Sequence, residues 1–135
     1  MERVDYSEEL ISARKRFGER NDCSVTAWAN TFDCSYEKAH SWLKRHGRRD
    51  KKGVPVEYVR NALKACRLAK VVFGPYSRDN KISLKKFCEK HPVGRYYVIV
   101  RGHAFCVKDG VVHDWYSGPR HMVTFAARVY LKGEI

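Results

Sequence analysis

The segment HAFCVKDGVVHDWY, residues 103–116, constrains the chain most. Two runs rich in apolar residues flank Asp109-Gly110, and a D-G pair between such runs predicts a β-hairpin with a two-residue loop. That loop sets the register. Lys108 falls opposite Val111, Val107 opposite Val112, Cys106 opposite His113, Phe105 opposite Asp114, Ala104 opposite Trp115 and His103 opposite Tyr116. Side chains alternate, so His103, Phe105 and Val107 share one face with Val112, Asp114 and Tyr116. His103 and Asp114 become diagonal neighbours about 7–8 Å apart at the backbone, a gap that a carboxylate crosses.

The rest of the last third also reads as strand. Tyr96 to Val100 is a near-continuous apolar run, as for a central strand, and Val123 to Leu131 forms the last one. The first half reads as helix. Ser7 caps a helix through about Phe17, and Gly18 to Asn21 form a break. Asp22 caps a second helix, Cys23 to Phe32, in which Val25, Trp28, Ala29 and Phe32 recur at helical spacing. Ser35 opens a third, with Tyr36, Ala39, His40 and Leu43 on one face and Gly47 as its stop. Pro55 opens a fourth with Val56, Val59, Leu63 and Cys66 as its stripe. A short strand, Lys70 to Phe73, and a turn-rich loop, Gly74 to Lys81, lead to a short fifth helix. Ser83 caps it, Leu84, Phe87 and Cys88 are its core residues, and Pro92 ends it. Helices first and strands after predict an α+β fold, N-terminal helices packed on a C-terminal antiparallel sheet. At 135 residues the chain is expected to form one domain, 1–135.

Charge limits the partners. Lysine and arginine number 27 against 15 aspartates and glutamates, a net charge of +12. Such a field attracts nucleic acid or another polyanion. The basic segment from Lys44 to Gly53 concentrates it, with Arg45, Arg48, Arg49, Lys51 and Lys52 as candidate polyanion contacts and Trp42 and Trp115 as stacking groups. The alternative is a merely soluble basic surface. The longest apolar runs are about five residues, against about 20 for a membrane-spanning helix, so no span is expected. The acidic N-terminal stretch MERVDYSEEL lacks the apolar core of a secretion signal, which predicts a cytoplasmic location and free thiols.

Five cysteines, Cys23, Cys34, Cys66, Cys88 and Cys106, show no C-x-x-C spacing, so neither a zinc site nor any other cofactor is expected. His40 reads as a core or rim residue, and His46, His91 and His121 lie in polar or loop contexts. Most of the cysteines read as small core fillers. Cys23 differs because it opens a helix, where the macrodipole and free amides favour a thiolate. A thiolate beside a histidine held by Asp114 is the logic of nucleophilic catalysis, with Cys23 as nucleophile, His103 as base and Asp114 as its orienting acid. His113 falls on the opposite face, and the turn consumes Asp109.

The strings ERNDCSVTAWANTFDCSYEKAHSWLKRHGRR and SLKKFCEKHPVGRYYVIVRGHAFCVKDGVVHDW resemble a family of small papain-fold proteins common in bacteriophage genomes and similar in shape to bacteriocin-processing peptidase domains. The resemblance covers most of Arg20 to Trp115. It places Cys23 of NDC, His103 of GHAF and Asp114 of VVHDW at the nucleophile, base and orienting positions. It implies a papain-like cysteine peptidase, or a related amide hydrolase or acyl transferase, acting on a protein or peptide. If phage-encoded, the protein would act in the host cytoplasm. One position departs: where papain-like peptidases usually carry an oxyanion-hole glutamine, this chain has Phe17. Asn21 is the nearest amide donor and, with the Cys23 backbone N–H, takes that role. The contrasting reading is a basic nucleic-acid-binding module, or a phage structural component, that keeps the fold without turnover.

Overall fold

A computed structural model describes residues 1–18, 21–49, 56–74, 77–114 and 118–131. Along the chain run β1 (Glu2–Val4), α1 (Glu8–Phe17), α2 (Cys23–Phe32), α3 (Tyr36–Arg45), α4 (Val56–Cys66), β2 (Ala69–Phe73), α5 (Leu84–Lys90), β3 (Arg95–Val100), β4 (His103–Lys108), β5 (Val111–His113) and β6 (Val123–Val129). The fold is α+β.

The helix starts follow capping chemistry. Ser7, Ser35 and Ser83 sit in extended backbone and accept from the amides of Leu10, Lys38 and Lys86, satisfying one orphan donor at each N-terminus. Gly18 closes α1 in the left-handed region, donating its N–H to the carbonyls of Arg14 and Lys15. The expected Asp22 cap on α2 is corrected. Its carboxylate makes no cap bond and is 1% exposed, held instead by Arg14 Nε at 2.8 and 3.0 Å and by the Tyr36 hydroxyl at 2.8 Å. A guanidinium and a phenol on neighbouring helices outcompete two backbone amides for one buried charge, since charge-assisted bonds are the stronger kind. Pro55 lies outside the described residues.

The sheet has six strands in the order β1-β5-β4-β3-β6-β2. The expected all-antiparallel, C-terminal sheet is corrected to a mixed one. β1 pairs parallel with β5, and β2 joins β6 antiparallel at the other edge. β1 carries no apolar alternation to announce it, and its three residues are all exposed. Its backbone pairing, not burial, makes it a strand. The hairpin register is the one the turn dictates: Lys108 with Val111, Val107 with Val112 and Cys106 with His113. Asp109 and Gly110 both have positive φ, +50° and +77°, as a primed two-residue turn requires.

Strand alternation gives the sheet two buried faces. Tyr97, Ile99, Ala104, Phe125, Ala127 and Val129 pack with Trp28, Leu43, Val59 and Leu63 of the helical layer. Tyr96, Val98, Phe105, Val107 and Val112 pack with Leu84 and Phe87 of α5. The described elements thus form two layers of helix, unequal in size, around one sheet. Among the described residues no helix is long and apolar enough to cross a membrane.

Candidate active site

α2 lays its apolar side on the sheet and presents Cys23, its first residue, half-buried at its N-terminal end. His103 is the first residue of β4, and Asp114 directly follows β5. Asp114 is fully buried, and one of its carboxylate oxygens lies 2.9 Å from His103 Nε2. With Nε2 so held, Nδ1 is the ring nitrogen left for the Cys23 side chain, which lies close enough to help raise the His103 pKa. Three groups singled out in distant parts of the sequence therefore meet.

They meet at strand ends, and that is where simple alternation stops sufficing. β5 ends at His113, so the expected pairing of Phe105 with Asp114 does not form, and Trp115 and Tyr116 lie outside the described residues. Alternation puts His103 beside Phe105, ring centroids 5.7 Å apart, whereas Cys23 belongs to the helix on the other side of the sheet. At the first residue of a strand no further strand separates the two faces, and the imidazole spans to the α2 terminus.

Electrostatics bind the group together. Burial alone would lower the His103 pKa. Hydrogen bonds to Asp114 and Cys23, with the negative charge of both, outweigh it and raise the pKa from 6.5 to about 9. The imidazolium is therefore the favoured form at neutral pH.

The sequence pattern misses Tyr6. Its hydroxyl donates to the second Asp114 oxygen at 3.0 Å, and the Thr26 hydroxyl of α2 donates to the Tyr6 oxygen at 3.1 Å. Burial raises the Tyr6 pKa far above neutrality, so the phenol stays a donor. β1 completes the clamp: the Asp114 N–H donates to the Val4 carbonyl at 2.9 Å, and Arg3 Nη1 to the Asp114 carbonyl at 3.2 Å. One signal was available, an aromatic residue set between the acidic and polar residues of the N-terminus.

Asn21 is exposed, immediately before Asp22, and its carbonyl accepts from Arg48 Nη2 at 3.4 Å. Phe17, at the departing position, packs its ring against Tyr36 at 5.2 Å and His40 at 4.7 Å. His40 is buried, as its helix face predicts. Because the Asp22 carboxylate turns toward Arg14 and Tyr36, it does not accept from the first amides of α2.

Of the basic segment, Arg45 and Arg49 are exposed, and Arg45 lies over the Trp42 ring at 5.9 Å. Arg48 is corrected: it is 2% exposed and its Nη2 donates to the Asn21 carbonyl at 3.4 Å, so it is not a polyanion contact. Its backbone N–H donates to the Leu43 carbonyl at 2.9 Å, at the α3 terminus. Lys51 and Lys52 lie outside the described residues. Among the described residues no three histidine, cysteine or acidic side chains group as a metal ion would need.

Compared with protein-family models, curated proteins and solved structures, the chain matches none.

Proposed function

We propose that this protein is a cysteine-dependent hydrolase with a papain-like fold, acting as a peptidase. The observation that carries the reading is the contact of Cys23, His103 and Asp114, brought together from α2, β4 and the end of β5. The order of elements agrees with it: a helix that opens on the cysteine, packed on a sheet whose later strands supply the histidine and the acid.

In this reaction the Cys23 sulfur, its proton held on His103, adds to the carbonyl carbon of a peptide bond. The oxyanion forms at the α2 N-terminus, where the Cys23 N–H and the Asn21 side-chain amide donate to it. The C–N bond breaks as His103 passes the proton to the leaving amine. Water, deprotonated by His103, then cleaves the thioester and regenerates the thiolate–imidazolium pair. Asp114 keeps the ring oriented throughout and stabilises its charge. Tyr6 fixes Asp114.

The test is turnover of a fluorescently labelled denatured protein, together with covalent capture by a peptidyl vinyl sulfone. The intact protein is expected to do both. Cys23→Ala should abolish both, and Asp114→Asn should slow turnover by orders of magnitude. Labelling at any cysteine other than Cys23, or turnover that survives Cys23→Ala, would overturn the reading.

A further inference from the structure

Among the described residues, α5 covers only part of its side of the sheet. α5 packs on Tyr96, Val98, Val107 and Val112, toward the β5 side. Toward the β2 edge, cross-strand register sets Lys70, Arg128 and Tyr96 in one row on this face, Lys70 opposite Arg128 and Arg128 opposite Tyr96. The Arg128 guanidinium lies 4.9 Å from the Tyr130 ring centre and 5.9 Å from that of Tyr96. Its Nε is buried and has no hydrogen-bond partner among the described residues, and none of their carboxylates pairs with it. A half-buried guanidinium held between two aromatic rings, with no counter-charge among the described residues, is costly to leave so.

Two more observations place positive charge here. His91, with its ring 5.0 Å from Tyr96, has its pKa lowered by burial, then by the charges of Lys90 and Arg128. Lys81 and Lys90 line a groove of about 360 Å³ floored by Val72 and Ile82, next to Lys70 on the same strand. The nearby carboxylate, Asp109, already accepts the Gly94 N–H at 2.8 Å.

From this row we infer that the face formed by Lys70, Lys81, Lys90, Arg128 and Tyr130 binds the phosphodiester backbone of a nucleic acid. It is a surface separate from the Cys23 site and does not rest on the hydrolase reading. The guanidinium supplies a fixed positive charge beside the aromatic rings, and the lysines supply flanking point charges. The net charge of +12 draws the polymer in. An acidic peptide would satisfy the lysines, but an aromatic-flanked arginine is the pattern of a surface that tracks phosphates beside bases.

Fluorescence anisotropy with a labelled oligothymidylate of about 20 nucleotides, titrated across a salt series, tests this. The intact protein should bind with a linear log–log salt dependence. The Lys70→Gln/Lys90→Gln/Arg128→Gln variant should bind at least tenfold more weakly, with the slope reduced by about 2, as three lost contacts to a single strand imply. The exposed pair Lys70→Gln/Lys90→Gln, which leaves the guanidinium in place, should give about two thirds of that slope change and guards against misfolding. Lys15→Gln/Lys38→Gln, exposed on α1 and α3 of the helical side, should change the affinity less than twofold. Overturning results are the absence of binding at low salt, an equal loss in the Lys15/Lys38 variant, or displacement of the oligonucleotide by poly-glutamate at equal charge concentration.

Discussion

Cys23 has competition from four other thiols, and burial separates them. It pushes Cys88 and Cys106 up to about 11 and raises Cys34 and Cys66 as well. Cys23 lies beside His103, an imidazole that favours its cationic form. Iodoacetamide at pH 7 is therefore expected to modify Cys23 at least tenfold faster than the other four, followed by peptide mapping over time. His103→Ala should remove most of that advantage. Tyr6 makes a second prediction at this scale. Tyr6→Phe keeps the ring but leaves a buried Asp114 oxygen without its donor, and hydrogen bonds to charged groups contribute about 1.5–3 kcal/mol. Urea unfolding should show a loss in that range, and turnover should fall with it. Unchanged stability would mean that the phenol is not holding the carboxylate.

Elements were legible where their signals are local. Serine caps, the glycine after Phe17 and the D-G turn each act within a few residues, and they place α1, α3, α5 and the β4–β5 register. What stayed hidden depends on partners far away in sequence. Tyr6 and Asp114 are 108 residues apart, and β1 exists because β5 offers it a backbone edge. Asp22 shows how a correct boundary can carry a wrong cause. It precedes α2 as a cap would, yet its charge belongs to Arg14 and Tyr36. The two roles differ in energy. Losing an aspartate cap costs about 1 kcal/mol. Breaking a buried ion pair by removing one partner costs about 3–5 kcal/mol. Arg14→Met leaves the Asp22 carboxylate buried without its cation, so a loss of about 3 kcal/mol or more is expected from urea unfolding. Because this pair anchors the start of α2, Cys23 alkylation should slow in the same variant under native conditions.

For the whole molecule, the titrating groups set a pH window for stability, and their signs can be followed one by one. His103 is raised to about 9 in the folded state against about 6.5 unfolded. The folded protein therefore holds a proton that the unfolded chain releases between those values. Its contribution is complete below about pH 6.5 and is lost as pH rises through about 9. Buried thiols act with the same sign but later. Cys88 and Cys106 stay neutral up to about 11, while unfolded thiols ionise near 8.5, so their contribution falls away above about pH 8.5. His91 and His113 work from the acid side. Burial lowers both, so the unfolded chain takes up protons first and stability falls as pH drops below about 6.5. The expected profile peaks near pH 6.5 and declines on the alkaline side in two stages, first with His103 and then with the thiols. Urea midpoints measured from pH 5 to 10 would trace it. His103→Gln should erase the first stage and leave the second, and Cys106→Ala should soften only the second. An alkaline decline identical in His103→Gln and the intact protein would mean that the imidazolium is not bound in the folded state, and that the Asp114–His103–Cys23 contact does not hold the charge assigned to it.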